Sequence, residues 1–383
     1  MKIQRVVARH IRMPLKRAFR TATGERTESD SVIAEVVLER GGSGFGEGVP
    51  REYLTGETPT TCFEYLRSVA TGLVGTSCGS FAEAVERAGE LDFGPDPLRP
   101  QCAARSALEL ALLDAAGRRF DVPLARLVES LPDLESLALA RDDVRYGVVM
   151  PAGSSPLSAL VRRLYGFRDV KLKVGPDVER SVEFVARMRR WLGPRMDLRV
   201  DANGSWSPPD VPKIMRRLEK LGVSFVEQPV SARDQMELSE FRPKCSIPVM
   251  LDESVVSERD AQLAVDGKLC DAFNLRISKN GGMIPVLNLA RLALSSRMGI
   301  QLGCHPGETG VLSAAGRAIA CSVRNLLYLE GSYDRHLLRR RVTREDITFG
   351  LGGRAPRLTG AGLGVTVRPE ELDAVTVETL NIQ

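Results

Sequence analysis

Five residues in the second half of the chain carry side chains that together are suited to acid–base chemistry at a metal ion. Lys173, Asp201, Glu227, Asp252 and Lys279 each stand at or near the end of a stretch with a β-strand pattern, and successive members are 25–28 residues apart. Three carboxylates in one place would repel each other and raise each other's pKa unless a cation neutralised them. The pattern therefore predicts a divalent cation with two lysines beside it.

The predicted metal ligands are Asp201, Glu227 and Asp252. Carboxylate oxygens suit Mg²⁺, with water and substrate oxygens completing its coordination, and Mn²⁺ is also accepted by such a ligand set. Taken singly, each acid has an alternative interpretation as a helix cap or a surface partner of an arginine. Their shared spacing and strand-end positions favour the metal site.

Two lysines lie on one face of the predicted strand 169–175. Lys171 and Lys173 are two positions apart and project from the same side, whereas Val170, Leu172 and Val174 occupy the other. A lysine serves as a base only when its pKa is drawn toward neutrality, and a metal, a second ammonium group and burial all act in that direction. A metal that holds a carboxylate would also stabilise the enediolate left when an α-proton is removed.

The elements that must position these residues alternate between short apolar strands and amphipathic helices. The predicted strands are 146–150, 169–175, 196–201, 223–227, 248–252, 272–277, 299–305 and 325–330. This alternation is typical of a parallel (β/α)7β TIM-like barrel, whose strand ends meet at one mouth. We place the barrel at residues 126–335.

A smaller α+β module precedes the barrel. Residues 1–125 contain strand patterns at 3–12, 32–39 and 44–49 and a helical pattern at 103–118, and the polar stretch 19–25 is predicted to be a loop. Residues 336–383 are predicted to return to this module through a late strand at 360–367. The predicted fold is therefore α/β, with an N-terminal α+β capping domain completed by the C-terminal segment.

Composition narrows the class of protein. The 383 residues carry 53 basic and 49 acidic side chains, a formal net charge of +4, which is too balanced to indicate nucleic acid or a membrane surface as partner. The seven cysteines form no CxxC motif and fit a reducing compartment. With no apolar leader pattern at the N-terminus and no long apolar run, the sequence predicts a cytoplasmic enzyme.

The motifs resemble those of the enolase superfamily, and more closely its muconate lactonizing enzyme subgroup, in the mandelate racemase/muconate lactonizing enzyme family. The matching elements are Lys171-Leu172-Lys173, Asp201-Ala202-Asn203, Glu227-Gln228-Pro229, Asp252-Glu253-Ser254 and Ser278-Lys279-Asn280-Gly281-Gly282. The resemblance covers nearly the whole chain. It implies Mg²⁺-dependent removal of a proton α to the carboxylate of a small-molecule substrate, and a homo-oligomer such as a dimer or an octamer.

The resemblance also implies residue roles. Lys173 and Lys279 would be acid and base on opposite faces of the substrate, and Lys171 an electrostatic helper; alternatively, Lys279 would only steady the enediolate. Loops of the capping domain select the substrate in this family, which makes Arg20, Arg51 and Tyr53 candidate binding residues. Further candidates at the mouth of the barrel are Asn203, His305, Glu308 and Glu330.

The chain departs from its relatives after strands 7 and 8. His305 stands where many relatives place an acid, and Glu308 follows three residues later. Glu330-Gly331-Ser332 replaces the Asp-x-Asp with which relatives acting on dipeptides hold an ammonium group, which argues against dipeptide epimerisation.

Several reactions stay open at this stage. Racemisation or epimerisation, cycloisomerisation and β-elimination of the o-succinylbenzoate synthase type would share the same first proton removal. A Schiff-base aldolase using Lys173 as nucleophile would leave the carboxylates without a role. A binding protein without turnover would not need the two lysines.

Overall fold

The computed structural model describes residues 1–21, 24–97 and 99–383, with the backbone alone for 19–21 and 24–26. The N-terminal part forms β1 (Ile3–Thr21), β2 (Gly24–Leu38), β3 (Ser43–Gly48), α1 (Glu52–Thr55), α2 (Pro59–Thr71), α3 (Phe81–Gly89) and α4 (Cys102–Phe120). A 3-10 helix (Leu124–Ser130) and β4 (Asp143–Arg145) lead to the barrel. The elements from β1 to α4 make up the predicted α+β cap.

The barrel follows the predicted alternation. Its elements are β5 (Val148–Met150), α5 (Pro156–Leu164), β6 (Asp169–Lys173), α6 (Val178–Leu192), β7 (Asp197–Asp201), α7 (Val211–Glu219), β8 (Val223–Glu227), α8 (Leu238–Phe241), β9 (Val249–Leu251), α9 (Glu258–Asp266), β10 (Ala272–Leu275), α10 (Ile277–Asn280), α11 (Met283–Ser295), β11 (Gly299–Leu302), α12 (Gly310–Ala320) and β12 (Leu326–Leu329). Short 3-10 helices lie at Pro208–Asp210, Gln235–Glu237 and Arg242–Lys244.

The barrel strands form one parallel sheet in sequence order from β5 to β12. A hydrogen bond from Gly147 N to Leu329 O (2.8 Å) brings the first and last strands of the sheet together. On β6, the apolar side chains Val170 and Leu172 are fully buried. The predicted (β/α)7β barrel is confirmed, and all its strand ends point to one mouth.

After the barrel come α13 (Asp334–Leu337), a 3-10 helix (Leu351–Gly353), β13 (Arg354–Pro356), α14 (Pro369–Asp373) and β14 (Thr376–Ile382). The antiparallel cap sheet has the order β14-β1-β2-β3, so the C-terminal strand completes it at the edge beside β1. The predicted return is confirmed, whereas the boundaries at 125 and 335 stay predictions. No helix in the described residues is long and apolar enough to cross a membrane.

Glycines let the cap sheet lie directly on α4. A Cβ on Gly46 or Gly48 would lie 2.1 or 1.8 Å from the carbonyl oxygens of Ala107 and Ala103. Larger residues there would therefore push the helix away from the sheet.

Two sequence predictions about the cap are wrong. Residues 19–21 and 24–25 lie in strands and not in a loop, because β1 extends to Thr21 and β2 begins at Gly24, with Phe19 paired to Arg26. Residues 22 and 23 lie outside the description. The stretch 360–367 is not a strand; instead Leu363 N donates to Asp114 on α4 (2.7 Å), and β14 supplies the returning strand. The polar side chains of 19–25 led us to expect a loop where the strands continue. The alternating sequence of 360–367 led us to expect a strand where there is none.

The cap is fastened to the barrel through a buried carboxylate on β3. Glu47 accepts hydrogen bonds from Thr309 N (3.0 Å), Thr309 Oγ1 (2.7 Å) and Leu312 N (3.1 Å). These donors lie at the N-terminus of α12, where a negative charge is favoured by the unpaired backbone N–H groups. The cap therefore contributes a contact just beyond the end of β11.

Candidate active site

Strand register brings three of the predicted residues side by side. Lys173 on β6 pairs with Asp201 on β7, which in turn pairs with Glu227 on β8. Asp252 follows the last residue of β9, and Lys279 lies beyond β10. The β6 and β10 ends are four strands apart in an eight-stranded barrel, so the two lysines approach the carboxylates from opposite sides.

Lys171 is buried at the bottom of the site, where it pairs with several carboxylates. Its Nζ lies 3.0 Å from both oxygens of Glu227, 3.0 Å from Glu330 and 3.7 Å from Asp201. Burial lowers the pKa of Lys171, but the three carboxylates outweigh it and raise the pKa above its ordinary value. The side chain of Lys171 therefore stays protonated and positively charged.

Glu227 is held by donors from three other strands. Besides Lys171, Asn274 Nδ2 (2.8 Å) and Gln301 Nε2 (3.1 Å) donate to its carboxylate. Burial acts to raise the pKa of Glu227, but Lys171 and Arg276 dominate and bring the pKa to about 2. The side chain is thus ionised and fully oriented.

Lys173 sits higher in the mouth than Lys171. Its Nζ donates to Asn203 Oδ1 (2.9 Å) and lies 3.2 Å from Asp201 Oδ2, and 31% of its side chain is exposed. Asn203 also donates to Glu253 Oε1 (3.0 Å). Asn203 therefore joins the lysine to the segment after β9 and orients its amine.

Asp252 and Lys279 form the opposite side of the site. Lys279 Nζ donates to Asp252 O (2.6 Å), Asp252 Oδ1 (3.0 Å) and Asn274 O (2.8 Å), and its side chain is fully buried. Arg276 pairs with the other oxygen of Asp252. Burial and the Arg276 charge lower the pKa of Lys279 well below its ordinary value, the direction that a base requires, whereas the three acceptors use all the N–H groups of the ammonium form.

The backbone around Lys279 explains why its position broke the strand alternation. The predicted strand to residue 277 is too long, because β10 ends at Leu275 and Lys279 lies in the single turn of α10. Gly281 ends this turn with φ +92°, and Gly282 follows with φ +132°. A Cβ on Gly282 would lie 2.1 Å from Glu109 of the cap, so glycine is required there for the turn and for the close approach.

The cap holds this turn from above. Arg105 Nη1 on α4 donates to Gly281 O (2.6 Å), and Glu109 accepts from Met283 N (2.5 Å) and Ile284 N (3.2 Å). Arg105 and Glu109 also pair with each other at 3.1 Å, both buried. The position of Lys279 thus depends on the cap as well as on the barrel.

Gln228 fixes the backbone between two of the acids. Its Oε1 accepts from Asp252 N (2.9 Å) and Ser254 N (3.2 Å), and its Nε2 donates to Val230 O (2.9 Å). These bonds link the end of β8 to the end of β9. Gln228 therefore positions Asp252 relative to Glu227.

The acidic side chains at the strand ends are of the type that binds a metal ion, but they are not arranged around a common metal position. Glu253 Oε2 is buried without a hydrogen-bond partner, as expected of an oxygen that has a cation to bind. Asp201 Oδ2 also makes no hydrogen bond, but it lies 3.2 Å from Lys173 Nζ. In the described residues, however, no three acidic, His or Cys side chains are grouped so as to hold a metal. The carboxylates form ion pairs with lysines and with Arg276 instead. A metal ion would therefore have to displace Lys279 and Arg276 from the carboxylate of Asp252.

The predicted substrate residues of the cap lie in different surroundings. Arg51 is buried and donates to Ser29 Oγ (2.7 Å), Pro50 O (2.8 Å) and Pro306 O (3.1 Å), so its guanidinium joins the cap to the segment after β11. Tyr53 on α1 is 52% exposed. Arg20 has its backbone in β1, but its side chain lies outside the described residues.

His305 is buried and Glu308 is partly buried beyond the end of β11. Burial, Arg276 and Arg51 lower the pKa of His305 well below its ordinary value, so the imidazole is neutral. Glu308 accepts from His305 N (2.8 Å) and Ser313 Oγ (2.9 Å), and burial raises its pKa to about 8. Glu308 therefore shapes the loop that carries the histidine.

Glu330, just beyond β12, pairs with two buried cations. Its oxygens lie 3.0 Å from Lys171 and 3.3 Å from Arg199. Arg199 also pairs with Asp169 at 2.6 Å and lies 4.0 Å from the centre of the Tyr328 ring. Glu330 thus belongs to the ionic layer beneath the site.

Sequence reasoning did not assign roles to four side chains that complete the site: Arg199, Asn274, Arg276 and Gln301. Each lies on or directly after a barrel strand and faces the interior. These residues could have been predicted from the sequence, because every second residue of a barrel strand points into the barrel.

Fold and site together define a capped (β/α)7β barrel enzyme with carboxylates and lysines at its mouth. Residues 3–128 match the family model for the mandelate racemase / muconate lactonizing enzyme N-terminal domain, and residues 157–372 match the one for the enolase C-terminal domain-like family. The chain belongs to the mandelate racemase/muconate lactonizing enzyme family of the enolase superfamily, as the motifs predicted.

Relatives of known activity include the L-Ala-D/L-Glu epimerase of Clostridium acetobutylicum, which is 28% identical over 86% of this chain and 90% of its own length. A solved dipeptide epimerase of Cytophaga hutchinsonii, complexed with Mg and the dipeptide D-Ala-L-Val, is 27% identical and has a TM-score of 0.85 over the full length of both chains. The N-succinyl Arg/Lys racemase of Bacillus cereus, at 23% identity, shares the fold with a TM-score of 0.89 over the full length of both chains.

Proposed function

We propose that this enzyme is a Mg²⁺-dependent racemase or epimerase that removes the proton α to a substrate carboxylate and returns it on the other face. The observation that carries this proposal is the placement of Lys173 and Lys279 on opposite sides of Asp201, Glu227 and Asp252. A proton transfer with inversion requires one group on each face of the α-carbon, and the two amines provide them.

Asp201, Glu227 and Asp252 would hold the metal, which supplies positive charge to the substrate carboxylate and to the negative charge that develops there. Mg²⁺ fits an oxygen ligand set completed by water and substrate, and Mn²⁺ would also be accepted. The relative complexed with Mg supports this choice. Asp201 Oδ2 and Glu253 Oε2 make no hydrogen bond, so both oxygens are available to a cation, although Lys173 Nζ already lies 3.2 Å from Asp201 Oδ2.

The protein side chains move the proton. Lys173 Nζ, oriented by Asn203, takes it from or returns it to one face of the α-carbon. Lys279 Nζ, buried and with a lowered pKa, does so on the other face. Lys171 stays charged and keeps the Glu227 carboxylate in place through two 3.0 Å contacts.

The test is α-proton exchange in D₂O, followed by NMR, for both enantiomers of candidate acids with the Mg²⁺-supplemented enzyme. A racemase converts either enantiomer into a deuterated mixture of both. Deuterium incorporation with retention alone would favour a one-base reaction, and loss of a leaving group would identify β-elimination. Trapping by borohydride with a carbonyl substrate would point to a Schiff-base aldolase and contradict the proposal.

A further inference from the structure

A cavity of about 470 Å³ opens at the mouth of the barrel, between β5, α5 and the segment after β12. Lys171, Lys173 and Arg276 line its inner end, and Arg162 lines it from α5. Lys173 is the proposed acid–base group at this end, so the cavity is the space into which the substituent of a bound acid extends. We call it the mouth cavity.

One wall of the mouth cavity is aromatic. Phe349 is the centre of this wall, with its ring centroid 5.6 Å from those of Phe167 and Tyr333 and 5.3 Å from that of His336. Tyr165 stacks on Phe167 at 5.2 Å. Because the rings fix one another, they present a preformed apolar surface that suits a hydrocarbon or aromatic group.

The charges along the mouth cavity disfavour an ammonium group. Its lining, all of it described, contains Glu330 as its acidic residue. That carboxylate is already paired with Lys171 at 3.0 Å and Arg199 at 3.3 Å. A substrate amine extending toward α5 would therefore meet Arg162 and find no carboxylate to balance its charge.

Arg162 is the polar group on the α5 side of the mouth cavity. Its Nη1 donates to Ser158 O (2.9 Å), whereas its Nε is buried without a hydrogen-bond partner. A half-buried guanidinium beside an apolar wall gains most from an anionic acceptor, since bonds to a carboxylate are charge-assisted.

Building on the proposed proton transfer, we infer that the substrate is a carboxylic acid without an ammonium group, whose substituents place an apolar group along the aromatic wall and a second carboxylate at Arg162. The first carboxylate and the α-carbon lie at the lysines, and the second lies at α5. Arg162 is then a specificity residue.

The experiment compares three acids that share one α-carbon: N-succinyl-L-phenylalanine, N-acetyl-L-phenylalanine and L-alanyl-L-phenylalanine. With the full-length, Mg²⁺-supplemented enzyme, kcat/KM for α-proton exchange should be highest for the succinyl compound and lowest for the dipeptide. Arg162→Met should lower kcat/KM for the succinyl compound by about 10- to 100-fold, mainly through KM, and leave the acetyl compound within about 3-fold.

Arg163→Met is the matched control, because Arg163 is the exposed neighbour on α5. It should leave all three rates unchanged, and Arg162→Lys should restore part of the preference for the succinyl compound. Faster exchange of the dipeptide, or an equal loss for all three acids in Arg162→Met, would overturn the inference and leave the proposed proton transfer standing.

If none of the three acids exchanges its α-proton, the proposed function fails for them, and calorimetric binding decides the inference separately. Tighter binding of the succinyl compound than of the dipeptide, lost in Arg162→Met and kept in Arg163→Met, supports it. Equal binding of the two compounds, or binding unaffected by Arg162→Met, rejects it.

Discussion

Lys173 and Lys279 approach the same carboxylates from two regions that are built differently. Lys173 stands at the end of a barrel strand, is 31% exposed and lines the mouth cavity. Lys279 is fully buried, bonds to three acceptors and lies in a helical turn fixed by Arg105 and Glu109 of the cap. The barrel alone positions the first amine, whereas the second depends on contact between two domains.

Metal removal should have the largest effect, because both lysines are proposed to act on a substrate held by the same metal ion. The experiment therefore tests whether the two regions serve one site. A chelator should reduce α-proton exchange of both enantiomers by roughly 10⁴-fold or to background, since the negative charge on the substrate carboxylate is then no longer neutralised by the metal. Mg²⁺ should restore both, and Mn²⁺ should do so as well. Loss for one enantiomer only, measured by NMR in D₂O, would show that the two lysines do not share a metal.

Replacing each lysine should separate the two faces. Lys173→Ala should lower proton removal from one enantiomer by about 10²- to 10⁴-fold, and Lys279→Ala should do so for the other, because each base reaches one face. Single-enantiomer exchange rates check this, with the exposed Lys220→Ala as control. If both variants kept full activity toward both enantiomers, the two-base assignment would be wrong.

Glu109→Gln should affect the Lys279 side more than the Lys173 side. It leaves Arg105 buried without its counter-charge, which should lower the free energy of unfolding by about 3 kcal/mol. Urea unfolding measures the stability, and single-enantiomer exchange measures the asymmetry. The exposed Glu86→Gln is the control, and an equal loss on both faces would contradict a cap dependence specific to Lys279.

Stability should depend on pH through the other cap contact, the segment after β11. Burial raises the pKa of Glu308 from 4.5 to about 8, so the folded chain holds this proton more tightly than the unfolded chain. The free energy of unfolding should therefore fall as pH rises from about 4.5 toward 8, by up to about 5 kcal/mol. Glu308→Gln should flatten this part of the profile in urea unfolding, and an unchanged slope would assign it elsewhere.

The sequence was sufficient to predict the barrel and to place the five proposed site residues at or near its strand ends. Regular spacing and inward alternation are properties of one strand and its neighbour, and the register of Lys173, Asp201 and Glu227 follows from them. The turn that carries Lys279 was signalled by its broken alternation and by Gly281. These features are local, so a single sequence contains them.

Contacts between distant segments were not predictable in this way. Arg162 lies on a barrel helix and not on a barrel strand, and its place in the mouth cavity depends on how α5 packs beside the segment after β12. The pairing of Arg51 with Ser29 and Pro306 joins residues far apart in the chain. Such contacts need the assembled fold, because no periodicity within one element specifies them.

The pairing of β14 with β1 has a consequence for synthesis of the protein. Translation produces β1, β2 and β3 first and the returning strand only after the entire barrel. During that interval the nascent cap sheet has an uncovered edge whose backbone groups are open to pairing with other chains. Chaperones that shield this edge on the ribosome, until residues from 376 onward have emerged, should therefore raise the yield of folded protein.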